Sequence, residues 1–129
     1  MTIVHAIAPV FLVADVGATA SWYRDTLGFA VDHFPEAEPF EWAGMRHGDA
    51  QIMLQRAPDY AKPDRDPLRP GGVWDAYIYV SGLDALHARI SGKVRTRRAP
   101  SEQPYGLREF EIADPNGYVL VFGEPIAAS

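Results

Sequence analysis

The sequence predicts an α+β fold made of two tandem βαβββ modules. Three observations carry this prediction: the order strand, helix and three strands occurs twice, a proline-rich connector separates the two occurrences, and a glycine follows each expected helix, Gly28 in the first module and Gly92 in the second. The repeat is one of pattern and not of identity. Modules this short are expected to bury their apolar faces together in one core.

A chain of 129 residues has the length of one ordinary domain. Its apolar fraction of 47% is sufficient for a shared core. We therefore expect residues 1–129 to form a single domain, with modules 1–57 and 73–129 joined by the connector 58–72.

The first module begins with an apolar strand over residues 8–13, followed by Asp15 as the cap of a helix that ends at Gly28. A tight turn at Gly48 and Asp49 joins the last two strands of this module. The three strands that follow the helix are predicted over residues 29–34, 42–47 and 51–54.

The connector contains four prolines between residues 57 and 72, which no helix or central strand tolerates, so we expect it to be exposed. The second module then repeats the order of the first. We predict a strand over residues 74–80 and a helix over 83–90 that is stopped by Gly92. The last three strands are predicted over residues 94–98, 107–113 and 118–123.

Charge and composition exclude several classes of function. The net charge is −5, and the longest basic cluster is residues 95–98, so a nucleic-acid partner is not expected. No apolar run reaches 18 residues, so we predict no membrane partner. The chain has no cysteine, which excludes disulfides and thiolate chemistry. The expected location is the cytoplasm.

Four segments carry a family resemblance: APVFLVADV followed by WYRDTLGF, then YVSGLDALHA, then SEQPYGLREFEIADPNGYVLVF. With these segments the sequence resembles the vicinal oxygen chelate superfamily (glyoxalases, bleomycin-resistance proteins and dioxygenases), and most of all the bleomycin-resistance type. The DPNG turn is common to the superfamily, whereas EQPYG-x-REF resembles a loop of its antibiotic-binding members. The resemblance implies a cupped mixed sheet with a concave cleft and with helices on the convex side.

The metal ligands of the superfamily are not preserved. The resemblance places Ala8, Met53, Asp75 and Val121 at the four ligand positions, and only Asp75 has a side chain that binds a divalent metal there. We therefore expect no metal, no cofactor and no catalytic residue of the metal-dependent type. An atypical site made of His47, Asp75 and Glu111 is the alternative.

Alternation along the strands predicts which side chains face the cleft. Ala76, Ile78 and Val80 would point toward the helix, which leaves an acidic and aromatic set on the opposite face. Such a mixed surface suits a flat ligand with cationic or hydrogen-bonding groups, although the same tyrosines could instead cover a dimer interface. The residues placed on this face are Gln51, Met53, Gln55, Asp75, Tyr77, Tyr79, Glu109, Glu111, Val119 and Val121.

The resemblance adds further ligand-binding candidates. Tyr105 occupies the place of a loop aromatic that stacks on a planar drug in the antibiotic-binding relatives, and Asp32 matches an acidic position of the family. Aromatic residues of the variable stretch are candidates for the opposing wall. The complete predicted set is Asp32, Phe34, Phe40, Trp42, Gln51, Met53, Asp75, Tyr77, Tyr79, Tyr105 and Glu111.

Three functions compete at this stage. The leading one is a non-catalytic protein that sequesters a planar aromatic, cationic small molecule; the others are an enzyme of the same superfamily (lyase, isomerase or dioxygenase) and a structural or regulatory dimer. We also expect a homodimer, because Pro9 favours an edge or crossover position. The matching proline in the resembling family lies where an N-terminal arm exchanges between subunits.

Overall fold

The computed structural model describes residues 1–127 and contains two compact units that divide between Lys62 and Pro63. Each unit holds one helix and one mixed four-stranded sheet. The predicted α+β class with two βαβββ modules is thereby confirmed. In the described part of the chain, no helix is long and apolar enough to cross a membrane.

The first unit orders its strands β1-β4-β3-β2. Strand β1 runs parallel to β4, and the remaining neighbours are antiparallel. Alternate side chains of β3 and β4, such as Met45 and Leu54, are fully buried, whereas their neighbours stay accessible on the other face. The elements are β1 (Val10–Val13), α1 (Val16–Leu27), β2 (Ala30–Phe34), β3 (Trp42–His47) and β4 (Ala50–Arg56).

Helix α1 begins and ends where the sequence predicts. The Asp15 carboxylate accepts a hydrogen bond from the Ala18 backbone N–H at 2.9 Å, which satisfies a donor that the first turn leaves unpaired. Gly28 takes a left-handed conformation with φ 78° and its N–H donates to the Arg24 carbonyl. The end of α1 therefore depends on a residue without a Cβ.

The second unit orders its strands β5-β8-β7-β6, with β5 parallel to β8. The antiparallel pair β7 and β8 forms its centre, where Phe110 and Phe122 stack with their ring centroids 5.0 Å apart. The elements are β5 (Ala76–Tyr79), α2 (Leu83–Ile90), β6 (Arg95–Glu102), β7 (Leu107–Ala113) and β8 (Val119–Pro125).

Helix α2 departs from the expected symmetry with α1. Gly92 does not close it: the C-cap is Ser91, which keeps a right-handed helical conformation with φ −56°. At the other end, no side chain adjacent in sequence caps α2. Instead the Glu124 carboxylate accepts from the N–H groups of Gly82 (2.7 Å) and Leu83 (3.2 Å). A residue 42 positions away along the chain thus supplies the cap.

The connector is more ordered than its prolines predict. A 3₁₀ turn spans Asp66–Leu68, with Pro67 in its first positions, where a missing N–H costs nothing. Ion pairs from Asp66 to Arg97 and from Arg65 to Asp75 fasten this segment to the second unit. The prediction that no helical turn forms here was therefore wrong for these three residues.

Several strand boundaries differ from the prediction, most of them by one or two residues, and those of β1 and β6 involve a proline. Strand β1 starts at Val10 and not at residue 8, although the Pro9 carbonyl still accepts from the Met53 N–H. Strand β6 extends to Glu102, four residues beyond the predicted end, with irregular register around Pro100. A proline is tolerated there because β6 is an edge strand of its sheet.

Candidate functional site

Four predicted ligand-binding residues meet on one face of the first sheet. Register places Asp32 opposite Gly44, and Gly44 opposite Met53, so their side chains share a face with Trp42 and Gln51. They line a cavity of about 170 Å³. The remaining lining residues are Gly44, Met45, Arg46 and Ile52.

The indole of Trp42 lies over Gly44. A Cβ placed on Gly44 would stand 2.6 Å from Trp42 Cη2, which is closer than real atoms approach. The absent side chain at position 44 therefore makes room for the ring, which forms one wall of the cavity.

The two predicted phenylalanines do not behave alike. Phe34 pairs with Trp42 in register and is exposed, so it lies at the end of the same face. Phe40 instead stacks on His33, with ring centroids 3.9 Å apart. Because His33 alternates with Asp32 along β2, Phe40 lies away from the cavity that contains Asp32.

The second sheet carries an aromatic face, which we define as Trp74, Tyr77, Tyr79 and Tyr105. Ring centroids of Trp74 and Tyr77 are 5.5 Å apart, and those of Tyr77 and Tyr79 are 5.0 Å apart. Tyr79 is 71% exposed and Tyr105 is 54% exposed. Large ring surface is thus available to a ligand on this face.

Two buried carboxylates hold the aromatic face in position. Glu109 is fully buried, and its oxygens accept from the hydroxyls of Tyr77 (2.6 Å) and Tyr105 (2.7 Å) and from Arg98 Nη2 (2.9 Å). Glu111 accepts from the Trp74 indole N–H at 2.8 Å. The hydroxyls of Tyr77 and Tyr105 and the indole N–H of Trp74 are thus directed to carboxylates, and the exposed ring surface of Tyr79 and Tyr105 is what a ligand can contact.

Burial and the neighbouring carboxylate keep both phenols protonated. Desolvation is the largest cause that raises the pKa of Tyr77 well above its usual value, followed by the hydrogen bond to Glu109. The pKa of Tyr105 is raised in the same direction and by the same two causes. Neither hydroxyl is therefore suited to act as a general base near neutral pH.

Asp75 has an internal role in the structure. One carboxylate oxygen accepts from the Val119 backbone N–H at 2.8 Å, and the other accepts from Arg65 Nη2 at 2.5 Å. Its side chain is only 5% exposed. The residue thus ties the start of β5 to β8 and to the connector, which leaves little of its carboxylate for a ligand.

Tyr77 leans over Gly123 on the neighbouring strand. A Cβ placed on Gly123 would overlap the Tyr77 hydroxyl and come within 2.5 Å of its ring carbon Cζ. The missing side chain at position 123 therefore allows the phenol to reach Glu109 across the sheet.

Arg98 is a functional residue that the sequence reasoning missed. Its Nη2 lies 2.9 Å from a Glu109 oxygen and 3.1 Å from a Glu111 oxygen, so one guanidinium balances part of the charge of both. Register on β6 and β7 places Arg98 opposite Glu111. The facing patterns RTRR and REFE were the signal, because opposite charges commonly pair across antiparallel strands.

The described residues 1–127 contain no group of three or more histidine, aspartate or glutamate side chains arranged to hold a metal ion. His47 lies in the first unit, whereas Asp75 and Glu111, the other two members of the alternative metal set, lie in the second. These two members have protein partners instead, since Asp75 binds Arg65 and Glu111 binds Trp74.

The strand order of the two sheets and the repeat of the βαβββ module point to one superfamily of proteins. The chain belongs to the Glyoxalase/Bleomycin resistance protein/Dioxygenase superfamily, whose family model matches residues 2–122. Among solved structures, it resembles the bleomycin-binding protein from bleomycin-producing Streptomyces verticillus, solved with copper(II)-bleomycin. That likeness has 28% identity, a TM-score of 0.68 and coverage of 100% of both chains.

Two further structures share the fold. A glyoxalase-related enzyme from Clostridium phytofermentans has 20% identity and a TM-score of 0.74, with 97% of this chain and 98% of that chain covered. TioX from Micromonospora sp. ML1 has 19% identity and a TM-score of 0.70, with coverage of 95% and 98%. No curated protein sequence matches the chain.

Proposed function

We propose that the chain is a metal-independent, cytoplasmic binding protein that sequesters a planar aromatic, cationic small molecule as a homodimer. The observation that carries this proposal is the aromatic face of the second sheet over its two buried carboxylates. Its ring faces attract cations, and the carboxylates bonded to the ring substituents add negative charge behind them.

The charge beneath the aromatic face supports a cationic ligand. Glu109, Glu111 and Asp66 belong to one network with Arg97 and Arg98, so three negative side chains meet two positive ones. The network therefore carries a net charge of −1. Within this network, Glu109 and Glu111 are the groups bonded directly to the phenols and the indole, and their negative charge favours an organic cation that stacks on the rings.

The first unit has a binding surface of its own, the cavity of the first sheet. Trp42 supplies an indole wall, Met53 an apolar floor, and Asp32 an exposed carboxylate. The likeness to the Streptomyces verticillus protein, at 28% identity over the whole chain, supports a ligand of the same general kind as the one that protein was solved with.

Binding is favoured over acid–base catalysis by the state of the acidic groups. Both oxygens of Asp75 have partners, and Glu111 is 4% exposed and bonded to Trp74. A general base needs an accessible oxygen within hydrogen-bond reach of its substrate. Neither carboxylate presents one.

The test is calorimetric titration of the protein with bleomycin and with smaller planar aromatic cations. Tyr79→Ala and Tyr105→Ala should each weaken binding by about 1 to 3 kcal/mol, because stacking and apolar burial are both lost. Tyr79→Phe should retain most of the affinity, since the Tyr79 ring contributes through its face. Tyr60→Ala is the matched control, because Tyr60 is an exposed tyrosine outside the aromatic face.

Two results would refute the proposal. One is that none of these cations binds the wild-type protein at micromolar concentrations. The other is that the Tyr60 variant loses as much affinity as the Tyr79 variant, which would indicate nonspecific adsorption.

A further inference from the structure

A second cavity lies within the second unit, next to the aromatic face but with different chemistry. It encloses about 400 Å³ and is lined largely by side chains of β6 and of the connector. We call it the arginine cavity, because three of its lining residues are arginines. Its lining residues are Asp66, Gly71, Arg95, Thr96, Arg97, Arg98 and Glu111.

The carboxylates of the arginine cavity are already engaged. Both oxygens of Asp66 accept from Arg97 Nη2, at 2.7 and 2.8 Å. One oxygen of Glu111 accepts from Trp74 and lies 3.1 Å from Arg98 Nη2, and the other lies 3.9 Å from Arg97 Nε. The acceptors of the wall therefore have little capacity left for an incoming donor.

The donors of the same wall are not used up. The Nε atoms of Arg97 and Arg98 are buried and have no hydrogen-bond acceptor within residues 1–127. Arg95 is exposed and makes no ion pair with any other residue between 1 and 127. A buried N–H without an acceptor is unfavourable by more than an ordinary hydrogen bond contributes. The wall thus has more donors than engaged acceptors: Arg95 is directly accessible, whereas the two covered Nε–H groups reach an anion only when neighbouring side chains move.

We propose that the arginine cavity is a binding subsite for an oxyanion, meaning a carboxylate, sulfate or phosphate group of a small molecule. Guanidinium groups match such anions because their N–H donors lie in a plane and can engage two oxygens at once. This inference goes beyond the proposed binding of an aromatic cation and does not require it.

The carboxylate of Asp66, a side chain of the protein itself, fills part of this subsite. This carboxylate takes the Arg97 donors that an external anion would use, and it stands on the 3₁₀ turn of the connector. An anion from solution therefore competes with Asp66 for Arg97 while also contacting Arg95. Removing the Asp66 charge should strengthen binding of the external anion.

The experiment follows the arginine Nε–H signals by NMR while sulfate, inorganic phosphate or acetate is added at constant ionic strength against chloride. Saturable shifts of the Arg97 and Arg98 signals are expected. Arg95→Gln should weaken the apparent affinity about tenfold, the loss of one hydrogen bond to a charged group. Asp66→Asn should tighten it, because Arg97 Nη2 becomes available.

Two matched variants control for general electrostatics. Arg24→Gln removes an exposed arginine of α1, and Asp25→Asn removes the exposed carboxylate next to it, both in the first unit. Neither should change the affinity. Equal effects of Arg24→Gln and Arg95→Gln would overturn the proposal, as would the absence of saturable shifts with all three anions. Weaker anion binding by Asp66→Asn would also overturn it.

Discussion

Glu109 shows how one buried side chain organises a recognition surface. A carboxylate without water is unfavourable unless charge and hydrogen bonds compensate it, and here Arg98 and two phenols do so. The compensation has a geometric result: Tyr77 and Tyr105, 28 residues apart along the chain, are held by the same carboxylate. Ring positions on the aromatic face are therefore set before any ligand arrives.

The raised pKa of Tyr77 predicts a late step in a spectrophotometric titration of the six tyrosines. In Tyr77→Phe, the absorbance change of the late, alkaline phase should decrease. Loss of early-phase amplitude by Tyr77→Phe would contradict the assignment.

The sign of the effect on stability follows from linkage. A folded-state pKa above the unfolded value of 10.0 means that the folded protein holds the Tyr77 proton more tightly. The stability that the hydrogen bond contributes is fully present below pH 10.0 and is lost as the pH rises through the folded value. Urea unfolding at rising alkaline pH should therefore reduce the difference between wild type and Tyr77→Phe.

At the level of elements, the two helices end by different means although the sequence places a glycine after each. Gly28 has a positive φ of 78°, whereas the φ of Gly92 is not positive. The sequence pattern could not separate the two cases, because both read as an apolar helix followed by glycine. Only the backbone conformation distinguishes a required glycine from a tolerated one.

Alanine substitutions should therefore have opposite effects at the two positions. Gly28→Ala should destabilise the protein by about 1 to 2 kcal/mol, because alanine is strained in the left-handed region. The added Cβ would lie 3.7 Å from the His47 ring, an ordinary contact, so the effect is one of conformation and not of a clash. Gly92→Ala has open space and should be neutral or stabilise by up to about 1 kcal/mol.

Chemical denaturation of both variants measures this directly. Similar losses of unfolding free energy at Gly28 and Gly92 would show that both glycines close their helices in the same way, contrary to the structure.

Much of the fold could be predicted from local patterns, and the site only in part. Strand β3, helix α2 and strand β7 have the bounds predicted, because period and turn residues agree there. Alternation placed Gln51 and Met53 on one face, whereas Asp32 was chosen from the family resemblance and Trp42 from the variable stretch; all four line the same cavity. The exact roles of Asp75 and Arg98 depend on partners in other elements, which strand periodicity does not specify.

For the whole molecule, the N-terminal segment predicts association. Ile3, Val4 and Ile7 are apolar and expose 66%, 78% and 83% of their surface in the single chain. Contiguous apolar exposure of this kind is typical of surfaces that a partner covers. We therefore expect the segment to contribute to a homodimer through an exchanged arm.

Light scattering at micromolar concentration should give the mass of a dimer, about twice the 14.3 kDa of one chain. Deletion of residues 1–8 should shift the protein toward the monomer, because the apolar arm is removed. The substitution Leu68→Ala, at an exposed leucine of the connector, is a control that should leave the mass unchanged. A monomeric wild type, or a deletion variant that still dimerises fully, would contradict the expectation.

The contact between Tyr77 and Gly123 has a consequence for how this surface can vary. Any larger residue at position 123 would displace the phenol from Glu109, and the buried carboxylate would then lose a donor. A change at the glycine is therefore tolerable only if the tyrosine changes with it. Positions 77 and 123 should therefore vary together among related sequences. Relatives with tyrosine at position 77 and glycine at position 123 should retain the hydrogen bond between that tyrosine and the buried carboxylate.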